Sequence, residues 1–359
     1  MTLRGYSKTA LAACAFALAA LTPAGAQQQI RLTIVSGNAP AFTPIGAAIE
    51  AFIPKVDELL AKSGKYKINW VQGWSGSIVK PRGELEGVET GLGDVGIVPG
   101  PFYPDKMSLF QVGYHTPFTT KDLDVATAGM NGLLAKVPEM TQQMQKFKQI
   151  PLRISGVGDN YVLFTKREIT KFSDLKGMKI AAVGANQPWV QAAGATPVAT
   201  ELATQYNALQ TGVFEGIVMW QQAFTAFRMC ELAKYRLNVD FGSVSPMTLT
   251  VNTDVWNKFP DEVKTAFRQA AVHWSTESDR RIKTNSEAGR QRCEKEHGLK
   301  TTELSAADRR AWAMAMPNVA QAWAKRADAA KLPGTKILTT WMDYMREKKQ
   351  PIVRQWDRE

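Results

Sequence analysis

Histidine and cysteine are scarce in this 359-residue chain: His115, His273 and His297 are its histidines, Cys14, Cys230 and Cys293 its cysteines. The histidines stand in unrelated contexts, and no His or Cys pair has metal-ligand spacing, so each histidine reads as structural or surface and no metal or other cofactor is expected. Phosphate loops of the Walker type are missing, as is a dinucleotide fingerprint after a strand. Gly73-Trp-Ser-Gly-Ser77 approaches a nucleophile elbow, but Ser77 stands where the last glycine belongs, so the segment reads as a binding loop. With no nucleophile set against a base, an enzyme is not expected.

Long apolar runs are also lacking, which excludes a membrane-spanning helix in the body of the chain. The N-terminus carries Arg4 and Lys8, an apolar run from Ala10 to Leu21, then small residues at Ala24 and Ala26. That order predicts a secretory signal peptide over residues 1–26, cut after Ala26, and a periplasmic location. Leu11-Ala-Ala-Cys14 looks like a lipoprotein box, but most of the apolar core follows Cys14 instead of preceding it. Losing Arg4 and Lys8 takes the formal net charge from +11 to +9. Lys and Arg are scattered, and where they gather, at 280–295, Glu287, Glu294 and Glu296 interleave. No basic stripe suited to nucleic acid results, so no nucleic-acid partner is expected; the basic balance suits anionic solutes or a membrane partner. Cys230 and Cys293 remain after cleavage, and in an oxidising compartment they either pair or stay as buried thiols; their distance is not legible in sequence.

What is present is the content of a globular protein, 45% hydrophobic and 21% charged, with length for two lobes. Asp174 to Gly216 carries short apolar runs bounded by glycine or proline. They predict a strand over Met178–Val183, a helix over Gln187–Ala193 closed by Gly194, a strand over Thr196–Val198, a helix over Thr204–Thr211 capped by Gly212, and a strand over Val213–Met219. Alternation of this kind builds a parallel sheet whose ligands sit outside the carboxyl ends of the strands. Upstream, strands are expected over Ile30–Val35, Tyr66–Val71 and Asp94–Val98. A helix begins at Thr43-Pro44 and breaks or kinks at Pro54. Glu84–Gly91 reads as a helix and Lys136–Lys148 as an amphipathic stretch, while Leu152–Gly156 and Tyr161–Thr165 read as strands crossing between lobes. Thr90-Gly-Leu-Gly-Asp94 before Gly96-Ile-Val echoes Thr211-Gly-Val-Phe-Glu215 before Gly216-Ile-Val, as two lobes of similar construction would produce. Phe259-Pro-Asp-Glu opens a long helix and Ser305-Ala-Ala-Asp308 another; Trp323, Trp341 and Tyr344 are spaced as core.

Three of these motifs, Asp174-Leu-Lys-Gly-Met-Lys-Ile, Gly194-Ala-Thr-Pro-Val and Tyr206-Asn-Ala-Leu-Gln-Thr-Gly-Val-Phe-Glu-Gly, closely resemble in order and spacing the signature of TRAP-transporter solute-binding proteins of the DctP type. The resemblance extends more weakly from about Ile30 to about Met345. It implies an α/β fold of two lobes, a periplasmic binding protein fold with crossing strands and a long hinge helix, closing on a ligand in the cleft. Residues 27–157 and 246–284 are expected in lobe 1, residues 158–245 and 285–359 in lobe 2. It also implies a small organic acid as ligand and the small and large membrane subunits of a TRAP permease as partners.

The chain departs from the family at the pocket. Family members that bind carboxylates place an arginine directly after the Lys-Ile of the first motif; here Ala181 stands there. A second family arginine aligns with Tyr161, an asparagine with Met219 and the following proline with Trp220. Polar positions of the first lobe fall near Phe102 and Tyr103, and the helix after Ala181 carries Trp189. A cleft lined by Trp74, Phe102, Tyr103, Tyr161, Trp189, Met219 and Trp220 suits a flat, largely apolar solute through ring stacking. Each of these is also a candidate for core packing. Asn38, at the end of the first strand, is placed to donate a hydrogen bond. For a carboxylate, Lys80, Arg82, Arg153 or amides at a helix N-terminus are the candidate partners. The expected ligand is an aromatic or bulky apolar organic acid, or a neutral relative. Two rivals stay open: a binding protein of another transport class, such as an ABC importer, and a periplasmic enzyme or sensor component.

Overall fold

A computed structural model describes residues 27–182, 184–200 and 202–359. The expected signal peptide and Cys14 lie outside the described residues, as does Val183.

Eleven strands are formed among the described residues: β1 (Gln28–Val35), β2 (Tyr66–Gly73), β3 (Val95–Pro99), β4 (Gln149–Ser155), β5 (Gly158–Thr165), β6 (Lys179–Ala181), β7 (Thr196–Val198), β8 (Gly216–Trp220), β9 (Tyr235–Val244), β10 (Met247–Asn252) and β11 (Lys300–Glu303). They make two sheets, ordered β2-β1-β3-β10-β4 and β11-β9-β5-β8-β6-β7. Val95–Pro99 and Gly216–Trp220 are buried along their whole length, as central strands covered on both faces require. The chain leaves the first sheet through Gly156-Val157 and returns from the second through Ser245-Pro246. β5 and β10 consequently run antiparallel to their neighbours.

The sequence echo is structural. Gly91 and Gly212 take left-handed φ values of 82° and 78° as they end the helices Glu84–Glu89 and Gln205–Gln210, a conformation glycine adopts without a Cβ clash. Leu92 and Val213 follow at the same point of each copy, and both are exposed. Asp94 exchanges bonds with Thr33, its carboxylate accepting from the Thr33 N–H at 2.7 Å and its own N–H donating to the Thr33 carbonyl at 2.8 Å. Glu215 repeats the exchange with Lys179. This explains one boundary: residues 213–215 belong to the turn, so the strand expected from Val213 starts at Gly216 and runs on to Trp220.

Pro54 acts as expected. The helix begun at Thr43-Pro44 passes through a π-helical turn at Ala48–Phe52 before resuming over Ile53–Ala61, since the proline ring obstructs the regular bonding of the preceding turn. The amphipathic stretch at 136–148 contains the helix Pro138–Gln145.

The helix Asp261–His297 ties the halves together. A little over a turn before its midpoint Trp274 donates its indole N–H to the Pro44 carbonyl at 2.9 Å, and Ser275 accepts from Arg153 Nε at 3.1 Å. At mid-length the Asp279 carboxylate accepts from the Gly156 N–H at 2.9 Å, on the crossing itself. Beyond it Ser286 donates to Asp159 at 2.8 Å, and Cys293 forms a disulfide with Cys230 at a Cα separation of 5.6 Å. Trp312, Trp341 and Trp356 are buried, with indole N–H groups on Trp189 O, Thr116 Oγ1 and Pro117 O. Trp323, read as core, is buried with its N–H on Ser108 O, while Tyr344 is half-buried.

Candidate functional site

The carboxyl ends of β1, β2 and β3 deliver Ser36–Asn38, Trp74–Gly76 and Gly100–Tyr103; those of β6 and β8 deliver 184–186 and Gln221-Gln222. Gly100–Phe102 packs against Gly184–Asn186, so the strand ends of the two sheets face one another.

On the first-sheet side, Asn38 is half-buried; its carbonyl accepts from the Ser75 N–H at 3.0 Å, and its Nδ2 is buried without a partner. Trp74 is half-buried and donates its indole N–H to Gln72 Oε1 at 2.9 Å. Phe102 is half-buried, with the Arg82 guanidinium 5.0 Å from its ring centroid. Tyr103 is turned inward: its hydroxyl donates to Glu84 Oε2 at 2.9 Å and accepts from the Leu85 N–H at 3.1 Å. Burial pushes its pKa far up, reinforced by the Glu84 charge, so it is a neutral donor. Glu84 itself is fully buried, and desolvation raises its pKa despite the bonds it accepts.

On the second-sheet side, Ala181 is buried in β6 beside Ile217, and Met219 is buried in β8 opposite Val162. Trp189, on the short helix Gln187–Gln191, is 1% exposed and stacks on Tyr114 and Phe241, at 6.3 and 5.1 Å between centroids. Its indole N–H donates to the Tyr114 carbonyl at 3.1 Å. Tyr161 is 4% exposed, edge-on to Trp189 at 5.7 Å and 5.3 Å from Trp220. Trp220 reaches towards the first-sheet side, where Phe42 lies 6.4 Å from it. Asn186 is 5% exposed; it precedes the Gln187–Gln191 helix without capping it, and its Oδ1 is buried without a partner.

The structure thus brings Tyr161, Trp189 and Trp220 into one cluster, and leaves Trp74 and Tyr103 outside it. Phe42, Glu84, Tyr114 and Asn186 were missed by the sequence reading. Tyr114 and Phe42 sit in no motif, and their roles come from tertiary packing. Of the three cationic candidates, Lys80 and Arg82 are exposed on the loop beyond β2, whereas Arg153 is committed to Ser275 on the long helix. His115, stacked on Trp323 at 5.5 Å, is held neutral, its pKa pushed down to about 3 by burial and by the Arg326 charge.

Residues 35–326 match the family model described as bacterial extracellular solute-binding protein, family 7 (DctP). Among solved structures, a TRAP periplasmic solute-binding protein from Desulfovibrio salexigens superposes with a TM-score of 0.78 at 19% identity, over 89% of this chain and 96% of that one. One from Rhodoferax ferrireducens T118, in complex with copurified benzoate, gives 0.76 at 17% identity, over 89% and 98%. Another from Chromohalobacter salexigens, with bound D-glucuronate, gives 0.71 at 17% identity, over 87% and 99%.

Proposed function

Since the chain belongs to the DctP family of extracellular solute-binding proteins, we propose that it captures an aromatic or otherwise bulky apolar organic acid, or a neutral relative, between its lobes. As a solute-binding protein of the TRAP type it makes and breaks no bond in its ligand. The captured solute passes to the small and large membrane subunits of a TRAP permease, and a signal peptide over residues 1–26 directs the chain to the periplasm. Lobe 1 comprises residues 27–157 and 246–284, lobe 2 residues 158–245 and 285–359, with the hinge where Asp279 holds Gly156.

The observation that carries the ligand class is the line Tyr161, Trp220, Phe42, with centroid separations of 5.3 and 6.4 Å. It runs from the second-sheet strand ends to a loop of the first. Stacking against such rings contributes about 0.5–1.5 kcal/mol per good pair beyond burial. Ala181 supports the reading from the polar side, because a small apolar residue there offers a carboxylate nothing. A structural neighbour carries benzoate, while another carries D-glucuronate, so the fold accommodates both chemistries.

A thermal-shift panel on the mature protein tests this. Stabilisation by benzoate- or phenylacetate-like acids is expected; stabilisation by succinate, malate or D-glucuronate and by no aromatic acid overturns the ligand class.

A further inference from the structure

With Ala181 offering no cation in lobe 2, we infer that the carboxylate of the solute is held from lobe 1, by the Arg82 guanidinium together with the Asn38 side-chain amide. This rests on the acid-binding reading above and names the group that recognises the acid.

Two contacts bring the segments that carry these residues together, and further features of Arg82 suit it to the role. The fully buried Glu84 carboxylate accepts from the Gly37 N–H at 3.2 Å and also from the main-chain N–H of Arg82. One buried anion therefore fixes the residue before Asn38 and Arg82 itself. The two segments touch through their backbones: a Cβ on Gly37 would stand 2.3 Å from Pro81 N, so only glycine permits the approach. Arg82 adopts a left-handed φ of 66°. A non-glycine residue held there costs of order 1 kcal/mol or more, and such strain gathers at binding sites. Its guanidinium stands over the Phe102 ring at 5.0 Å, an arrangement that limits its freedom before any ligand arrives. Phe102 belongs to the segment that packs against Gly184–Asn186 of lobe 2, which sets the cation at the junction of the lobes.

The second donor is independent of Arg82. Asn38 Nδ2 is a buried N–H donor without a partner, and such a group is costly unless something completes it. A carboxylate beside Asn38 and Arg82 accepts from both. Tyr103 and Glu84 are then positioning residues: Tyr103 donates to Glu84, and Glu84 holds the two loops that carry the donors. Lys80 adds positive charge nearby, its Nζ lying 3.8 Å from where a Cβ on Gly76 would stand, without sharing the Glu84 tether.

Isothermal titration of wild type, Arg82→Ala, Arg82→Lys, Asn38→Ala and Lys80→Ala against the tightest acid of the panel, and against its neutral primary amide, tests the inference. Arg82→Ala is expected to weaken the acid about 10- to 100-fold, the range for a lost charge-assisted bond, and the amide far less, with Arg82→Lys in between. Asn38→Ala weakens both, and Lys80→Ala changes the acid by less than about fivefold, as an exposed charge outside the contact does. Unchanged acid affinity in Arg82→Ala, or equal loss of acid and amide, overturns the assignment. If a sugar acid or dicarboxylate is the tightest ligand, the aromatic reading fails while the Arg82 comparison is run on that acid. A wild type that binds only neutral solutes, or no panel member, overturns the assignment.

Discussion

The phenolic oxygens of Tyr114 and Tyr161 lie 3.1 Å apart with both side chains buried, joining the segment after β3 to the antiparallel strand β5 of the other sheet. Burial raises the pKa of both hydroxyls, so the pair is neutral at any pH the protein meets. Tyr161→Phe leaves the Tyr114 hydroxyl buried and unpaired, at a cost of about 1–3 kcal/mol. Thermal unfolding should show a lower midpoint for either single Phe variant, and for the double variant a loss smaller than the sum of the two. Additive losses would mean that the hydroxyls do not depend on each other.

Trp220 makes a different prediction because its ring neighbours both Tyr161 and Phe42. Trp220→Leu keeps an apolar side chain but removes the stacking surface. It should weaken an aromatic acid about tenfold, combining lost stacking with lost burial, and a small aliphatic acid much less. Equal weakening of both in calorimetric titrations would assign Trp220 to packing alone.

At the crossing between sheets, burial lifts Asp279 to about 6 from an ordinary 3.8. The contacts it faces are the Gly156 N–H, Ser155 and Thr127, with Arg153 and Asp124 as the charged neighbours. Because the folded value lies above the unfolded one, the associated stability is complete below about pH 4 and is lost as pH rises through about 6. Asp279→Asn keeps an acceptor for Gly156 and removes the charge. It should raise stability at pH 7.5 by about 2 kcal/mol and change it little at pH 4. Chemical denaturation at the two pH values reads this difference; a variant destabilised equally at both contradicts it.

The Cys230–Cys293 bridge closes a loop of 63 residues between the segment after β8 and the long helix. Constraining a loop of that length in the unfolded chain is worth about 4 kcal/mol on the chain-entropy account. Cys293→Ser, or wild type unfolded in reductant, should melt at a clearly lower temperature, and the two losses should match. No change on reduction would mean that the thiols do not pair in solution.

Much of the architecture was readable where local chemistry and tertiary position agree. Thr196–Val198 was delimited by its own flanks, Pro54 marked a disturbed helix although not its π-helical form, and the paired Gly-x-x-Asp and Gly-x-x-Glu segments marked equivalent turns in both halves. Strand ends were less legible. Gln28 and Gln29 are polar and exposed, yet they pair with Tyr66 and Lys67; no apolar signal marks them. The start of the long helix was anticipated at Phe259-Pro-Asp-Glu, but neither its end at His297 nor that Arg153 would turn to it, since that depends on which side of the edge strand β4 faces the helix. Tyr103 illustrates the limit at the site: it follows a strand end as expected, but a buried carboxylate 19 positions away in sequence captures its hydroxyl.

Calorimetric titration of the mature protein with benzoate and D-glucuronate under one set of conditions addresses the central claim most directly. An aromatic acid should bind to a single site at least about tenfold more tightly than the sugar acid, a margin of about 1.4 kcal/mol. Tighter binding of D-glucuronate, with no heat from any aromatic acid, would contradict the account.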